Sequence, residues 1–170
     1  MNTIYLAGGC YWGVEKYMSN IPGVVETEVG FANGNTHHPT YQQVCKENTG
    51  HAETVRVVYD ADAITLSQLL KLFFRIIDPV SLNRQGEDEG TQYRTGVYFT
   101  TPEEEAVIRR ELLLLEMQVK KKLAVECLPL VHFYYAEEYH QKYLDKNPTG
   151  YCHVPWNAIH DVKDIDPSTL

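Results

Sequence analysis

The chain has 170 residues, 44% of them hydrophobic and 22% charged, with 15 Lys and Arg against 23 Asp and Glu and a formal net charge of −8. That composition excludes a disordered chain, a collagen and a disulfide-stapled miniprotein, because a chain of this length can bury one good core without cross-links. The acidic balance also excludes a phosphate-tracking surface, since non-specific nucleic-acid affinity comes from clustered Lys and Arg.

No cationic leader opens the sequence, whose first basic side chain is Lys16, and no apolar run approaches the ~18 residues of a membrane span. A cytoplasmic protein without membrane contact is expected. Residues 4–7 form an apolar run that stops at Gly8-Gly9, and residues 10–19 are helix-compatible until Pro22-Gly23 breaks them. The pattern is strand, tight turn, helix. Residues 24–31 and 52–59 are rich in Val and alternate with polar residues, as half-buried strands do, with a turn marked by Asn33-Gly34 between them.

Residues 65–77 predict a helix with an apolar face of Leu66, Leu69, Leu70, Phe73, Phe74 and Ile77, closed by Asp78-Pro79. Residues 80–95 are a polar stretch with Gly86 and Gly90, and loops of this length inside a compact domain are often functional. Thr101-Pro102-Glu103-Glu104 reads as a helix start, with a capping Thr, Pro at the first position and Glu three residues after the cap. That helix runs to about residue 122, residues 125–133 read as a strand, and residues 136–146 as a final helix. From residue 147 the chain is irregular. The expectation is one α+β domain over residues 1–170, with a mixed sheet covered by helices.

The cysteines stand at positions 10, 45, 127 and 152 without a Cys-x-x-Cys pair, which makes a zinc site improbable and leaves thiols in a reducing compartment. Cys10 follows a strand and opens a helix. Amide N–H groups and the positive dipole end at that position favour a thiolate, the reactive form of cysteine. Gly8 and Gly9 would let a substrate approach the backbone, and Tyr11 and Trp12 would wall an apolar pocket.

Gly8-Gly9-Cys10-Tyr11-Trp12-Gly13-Val14-Glu15 resembles the Gly-Cys-Phe-Trp-Gly signature of the A-type peptide methionine sulfoxide reductases. Further segments resemble the family in the same order: Tyr41-Gln42-Gln43-Val44-Cys45, Gly50-His51-Ala52-Glu53, residues 83–94 with Asp88 and Tyr93, and residues 136–152 with His140, Tyr151 and Cys152. Tyr11 stands where the family usually has Phe, and Glu87 where Asn is common.

The resemblance implies the family's ferredoxin-like βαβ core and reduction of methionine-S-sulfoxide, free or in proteins, as repair after oxidative stress. Cys10 would attack the sulfoxide sulfur, releasing methionine and leaving a sulfenic acid. The sulfoxide oxygen needs a proton to leave, and Glu53 matches the family's acid, with apolar neighbours that would raise its pKa. Tyr41 and Tyr93 match hydroxyl donors to that oxygen. Tyr11 and Trp12 would hold the S-methyl group, and Asp88, His140 and Tyr151 the substrate's main chain.

Cys152 matches the resolving position, forming a disulfide with Cys10 that thioredoxin would reduce directly, since no cysteine follows Cys152. Cys45 and Cys127 are assigned to packing. The resemblance implies a monomer with no metal and no cofactor beyond that external reductant. Two alternatives come from other classes. Cys10 could serve a hydrolase or acyltransferase with one of the seven His as base, or His37, His38 and His51 could bind metal with a cysteine.

Overall fold

The computed structural model describes residues 1–46 and 48–170. The chain runs β1 (Asn2–Gly8), α1 (Tyr11–Ser19), β2 (Val24–Ala32), α2 (Tyr41–Lys46), β3 (Ala52–Tyr59) and α3 (Leu66–Phe74). A hairpin of β4 (Arg84–Gln85) and β5 (Asp88–Glu89) follows, then β6 (Thr95–Phe99), α4 (Pro102–Val119), β7 (Glu126–Pro129), β8 (Phe133–Tyr135), α5 (Tyr143–Lys146) and α6 (Trp156–Asp161). The predicted capping box of Thr101 with Glu104 forms ahead of α4, and a second one, Thr65 with Gln68, opens α3.

Six strands make one mixed sheet in the order β7-β6-β1-β3-β2-β8. The β6–β7 pair is parallel and the other ladders of that sheet are antiparallel. The inner four strands, with α1 between β1 and β2 and α3 between β3 and β6, form the expected ferredoxin-like core. Alternation along the strands sends Ile4, Leu6, Val29, Phe31, Val55, Val57 and Val97 to the helical side, against Val14 and Met18 of α1 and Leu69, Leu70 and Phe73 of α3. Each such buried side chain contributes roughly 1.5–3 kcal/mol. The opposite face packs Ala7, Ala32, Ala52 and Tyr98 against Tyr5, Leu130 and Phe133.

The single strand predicted over residues 125–133 is two strands on opposite edges of the sheet. The four-residue step from Pro129 to Phe133 spans at most ~14 Å, so the sheet must curl to bring its edges together. Small alanines on the inner face permit that curl. Asn33 fastens the crossing: Nδ2 donates to the Pro129 carbonyl at 3.1 Å, and Oδ1 accepts from Val131 N at 2.8 Å.

Other expectations change for similar long-range reasons. The stretch between β2 and β3, read as a turn, contains α2. The predicted loop 80–95 holds the β4–β5 hairpin and leads into β6, a strand absent from the sequence reading. The helix expected over residues 136–146 is a 3-10 turn at Glu138–His140 followed by the single turn of α5. Gln141 leaves helical geometry to bond β2, accepting from Val29 N at 2.9 Å and donating to its carbonyl at 2.8 Å. Lys142 takes φ 53°, with its N–H on Glu15 Oε1 at 2.8 Å. Among the described residues no helix is long and apolar enough to cross a membrane.

Candidate active site

Gly9, at φ +90°, turns the chain from β1 into α1; a Cβ there would stand 2.6 Å from Cβ of Gln85. Cys10 is therefore the N-cap of α1, 6% exposed and beneath the β4–β5 hairpin. Burial, then the Glu53 carboxyl, push its thiol well above the ordinary range, outweighing the Trp12 backbone N–H that pulls it down. The helix terminus alone predicted a thiolate; desolvation, which the sequence did not display, makes the resting group a thiol.

Glu53 projects from the start of β3, opposite Phe31 of β2, and is 1% exposed. Its Oε1 accepts the Tyr11 N–H at 3.2 Å, while Oε2 is buried without a partner. Burial raises its pKa to about 8, with Asp88 adding to the rise and the Tyr11 amide opposing it. A protonated carboxyl is the neutral-pH form.

Tyr41 opens α2 and Tyr93 closes the 3-10 turn Thr91–Tyr93, and both are half-buried. Burial and then Glu53 raise both phenols, so they remain hydroxyl donors. Cys45, one turn along α2, lies beside both hydroxyls and feels Glu53. Its assignment to packing missed this neighbourhood, although its four-residue spacing from Tyr41 places the two on one helix face.

Tyr11 is fully buried, its ring centroid 5.7 Å from Phe31 and 5.7 Å from His140, and its hydroxyl has no partner. Trp12 is half-buried; it stacks on Tyr143 at 3.8 Å and 13°, and its Nε1 donates to His140 Nδ1 at 3.1 Å. His140, expected at the substrate's main chain, is 1% exposed and turned inward under Trp12. Burial keeps it neutral, so Nδ1 has a lone pair to accept that bond. Tyr143 escaped the sequence reading; its one signal was a position three residues beyond His140.

The segment after α5 lies over this cluster. Tyr151 Oη donates to Asp88 Oδ2 at 2.9 Å. Cys152 Sγ donates to the Val154 carbonyl at 3.1 Å and rests on the first turn of α1, where a Cβ on Gly13 would stand 2.8 Å from it. Asp88 and Cys152 both act on the Cys10 thiol. Cys127 lies elsewhere, on β7, facing Arg109 and Glu105 of α4. All four cysteines are free thiols.

His37, His38, His51 and His132 gather around the Tyr134 ring, with His37 Nδ1 2.8 Å from its hydroxyl. Among the described residues no group of three or more His, Cys, Asp or Glu is placed to hold a metal. A cavity of about 490 Å³ between α3 and α4 is lined by Phe74, Glu111, Leu114 and Leu170 and contains no cysteine or histidine. Chemistry singles out the Cys10 cluster over that hollow.

The family model for peptide methionine sulfoxide reductase matches residues 2–166. A relative named peptide methionine sulfoxide reductase MsrA, from Lachnoclostridium phytofermentans, is 52% identical over 162 residues, 95% of this chain and 98% of its own length. Among solved structures, reduced Mxr1 from Saccharomyces cerevisiae superimposes with a TM-score of 0.85 at 39% identity, covering 89% of this chain and 88% of that one. Mxr1 in complex with Trx2 matches with a TM-score of 0.61 at 26% identity, over 84% of each chain. A signature beginning at Gly8, a cysteine thiol that feels a neutral carboxyl and a match over nearly the whole sequence agree: the chain belongs to the peptide methionine sulfoxide reductase family.

Proposed function

We propose that this chain reduces methionine-S-sulfoxide, free or within oxidised proteins, through Cys10, and that thioredoxin regenerates it. The observation that carries this reading is the pair formed by the Cys10 thiol and the Glu53 carboxyl, whose Oε2 is buried and unpartnered. An acid held neutral by burial is what a poor leaving oxygen requires.

The substrate's S-methyl group packs on the Tyr11 and Trp12 rings, and its oxygen points to Glu53 and the hydroxyls of Tyr41 and Tyr93. As the Cys10 sulfur bonds to the sulfoxide sulfur, Glu53 gives its proton to the oxygen and the thiol's proton restores the carboxyl; the new S–S bond and the old S–O bond then break as the hydroxyl moves to Cys10. Oxygen ends on Cys10 as a sulfenic hydroxyl. The net change is thiol plus sulfoxide to sulfenic acid plus thioether: Cys10 loses two electrons and methionine sulfur gains them.

Asp88 and Tyr151 face the cluster from the hairpin and the C-terminal segment and hold the substrate's main chain. His140 acts one step back, by fixing the indole of Trp12. Cys152 then attacks Cys10, water leaves, and thioredoxin reduces the disulfide. The complex of yeast Mxr1 with Trx2 supports that partner. The enzyme works as a monomeric single domain in the reducing cytoplasm, with no resident cofactor. A hydrolase reading of Cys10 gains nothing from the family match.

The test supplies each epimer of methionine sulfoxide with thioredoxin, its reductase and NADPH. NADPH oxidation with the S epimer is expected. A folded, reduced sample that consumes none overturns the proposal.

A further inference from the structure

His153 has no role in the scheme above, yet it follows the resolving cysteine directly and its ring lies against the residue that precedes the nucleophile. Its Cε1 is 3.3 Å from the position a Cβ on Gly9 would occupy, and its Cβ is 3.2 Å from the corresponding position on Gly86. Cε1 is the carbon between the two ring nitrogens, so the imidazole presents its nitrogen-bearing edge to the turn from Gly9 into Cys10. Both nitrogens are sealed from solvent and neither makes a hydrogen bond of good geometry, the Gly8 backbone lying near enough to act on the ring without a well-formed bond.

A buried polar group left without a well-formed hydrogen bond is destabilising. Such a group, next in sequence to Cys152 and against the turn that leads into Cys10, gains a partner after the first chemical step, when Cys10 carries a hydroxyl.

We propose that His153 is the proton carrier of the resolving step, taking the proton of Cys152 and delivering it to the hydroxyl that leaves Cys10. This role rests on the reductase reading of the site. The Cys152 S–H proton passes to a ring nitrogen of His153, the Cys152 sulfur attacks the sulfenic sulfur, and the S–S bond forms as the S–OH bond breaks. Departing hydroxide takes the proton from the imidazolium and leaves as water. Thiol plus sulfenic acid become disulfide plus water, Cys152 being oxidised and Cys10 reduced, with no outside reagent.

The protonation states suit that task. Burial raises the Cys152 thiol, which therefore needs a base before it can attack. Burial also lowers His153 below the ordinary histidine value, against the pull of Asp88, so the ring is neutral and basic at pH 7. The titratable group acting on the ring is Asp88 of β5, which accepts the Tyr151 hydroxyl; Asp88 and Cys152 also act on Cys10, with Glu53 beside it. Glu53 is committed to the other side of Cys10 through the Tyr11 amide.

The experiment mixes the reduced full-length chain with one equivalent of N-acetylmethionine-S-sulfoxide, without thioredoxin, and follows methionine release and disulfide closure separately. In His153→Asn, release should keep the parental rate while closure slows about 100-fold, the scale of one lost acid-base group. Dimedone should then trap the sulfenic acid. Closure in the parent should slow as pH falls through the histidine range, an inflection the variant loses. In His153→Ala, added imidazole should restore closure.

Parental closure in His153→Asn overturns the role. So does slow closure in His153→Ala that neither imidazole nor pH moves, which assigns the loss to packing. A parent that releases no methionine overturns the reductase reading and this role with it, and is distinguished from both by the missing first product.

Discussion

Glu53 accepts the backbone N–H of Tyr11 on one carboxyl oxygen, at 3.2 Å, and keeps the other buried without a partner. One hydrogen bond orients the group while burial sets its protonation, and the free oxygen faces the same interior as Cys10. The Tyr11 amide belongs to the first turn of α1, so Glu53 and Cys10 are positioned by one helix terminus.

Activity should therefore decline as pH rises through about 8, the value to which burial lifts Glu53. Glu53→Gln should lower the rate of methionine release by about 10²- to 10⁴-fold and abolish that alkaline inflection in single-turnover assays. The stability effect has a fixed sign. A carboxyl whose folded pKa is raised binds its proton more tightly in the native state, so its contribution is full below the unfolded value and lost as pH rises through the folded one. Thermal melts should show Glu53→Gln gaining on the parent at pH 9 relative to pH 5; an equal difference at both pH values would contradict this.

Tyr11 carries a hydroxyl where the family usually has none, and the structure buries it unpartnered. Removing it leaves the ring contacts with Phe31 and His140 intact. Tyr11→Phe should stabilise the fold by roughly 1 kcal/mol, or about 2–4 °C in Tm for a chain of this size. Methionine release should be retained; a large loss would mean that the hydroxyl contacts the substrate.

Trp12 owes its orientation to Tyr143 below and His140 at its edge. His140→Phe keeps the apolar contact and deletes the acceptor, leaving the indole N–H unsatisfied. KM for methionine sulfoxide should rise about tenfold, the equivalent of one net hydrogen bond, with kcat changed less. Steady-state kinetics that show kcat falling with KM unchanged would place His140 in the chemistry instead.

Gly13 makes room for the Cys152 sulfur above α1. Gly13→Ala places a methyl group 2.8 Å from Sγ, too close unless Cys152 shifts, at a helical position that Ala otherwise favours by roughly 0.5–1 kcal/mol. Overpacking costs about 1–3 kcal/mol, more than that gain, so the melting temperature should fall by a few degrees, and the displaced Cys152 should close the disulfide more slowly than in the parent. Mass spectrometry of quenched samples reads the disulfide directly.

Cys152→Ser should still release about one methionine per enzyme and then stop, because the first step needs only Cys10. Continued turnover with thioredoxin would implicate another thiol, and Cys45, which lies beside Tyr41 and Tyr93 and feels Glu53, is the first candidate.

Local physics made much of this protein legible in advance. The Val-rich alternation of β2 and β3, the apolar face of α3, the capping box of α4 and the strand-to-helix turn at Cys10 depend on residues within one or two turns of each other, so the sequence displays them. The ordered resemblance to the family added the partners of Cys10. Long-range contacts decided the rest. Residues 125–133 kept their strand character but were split between two sheet edges, because Asn33 and the inner alanines allow the curl. The helical period of residues 136–146 lost to the bonds that Gln141 and Lys142 make with Val29 and Glu15, which turn His140 inward and lay Tyr143 under Trp12. The protonation of Cys10 also belongs to the tertiary structure: a helix terminus can be read from the sequence, but desolvation exists only once β3 and the hairpin close over the sulfur.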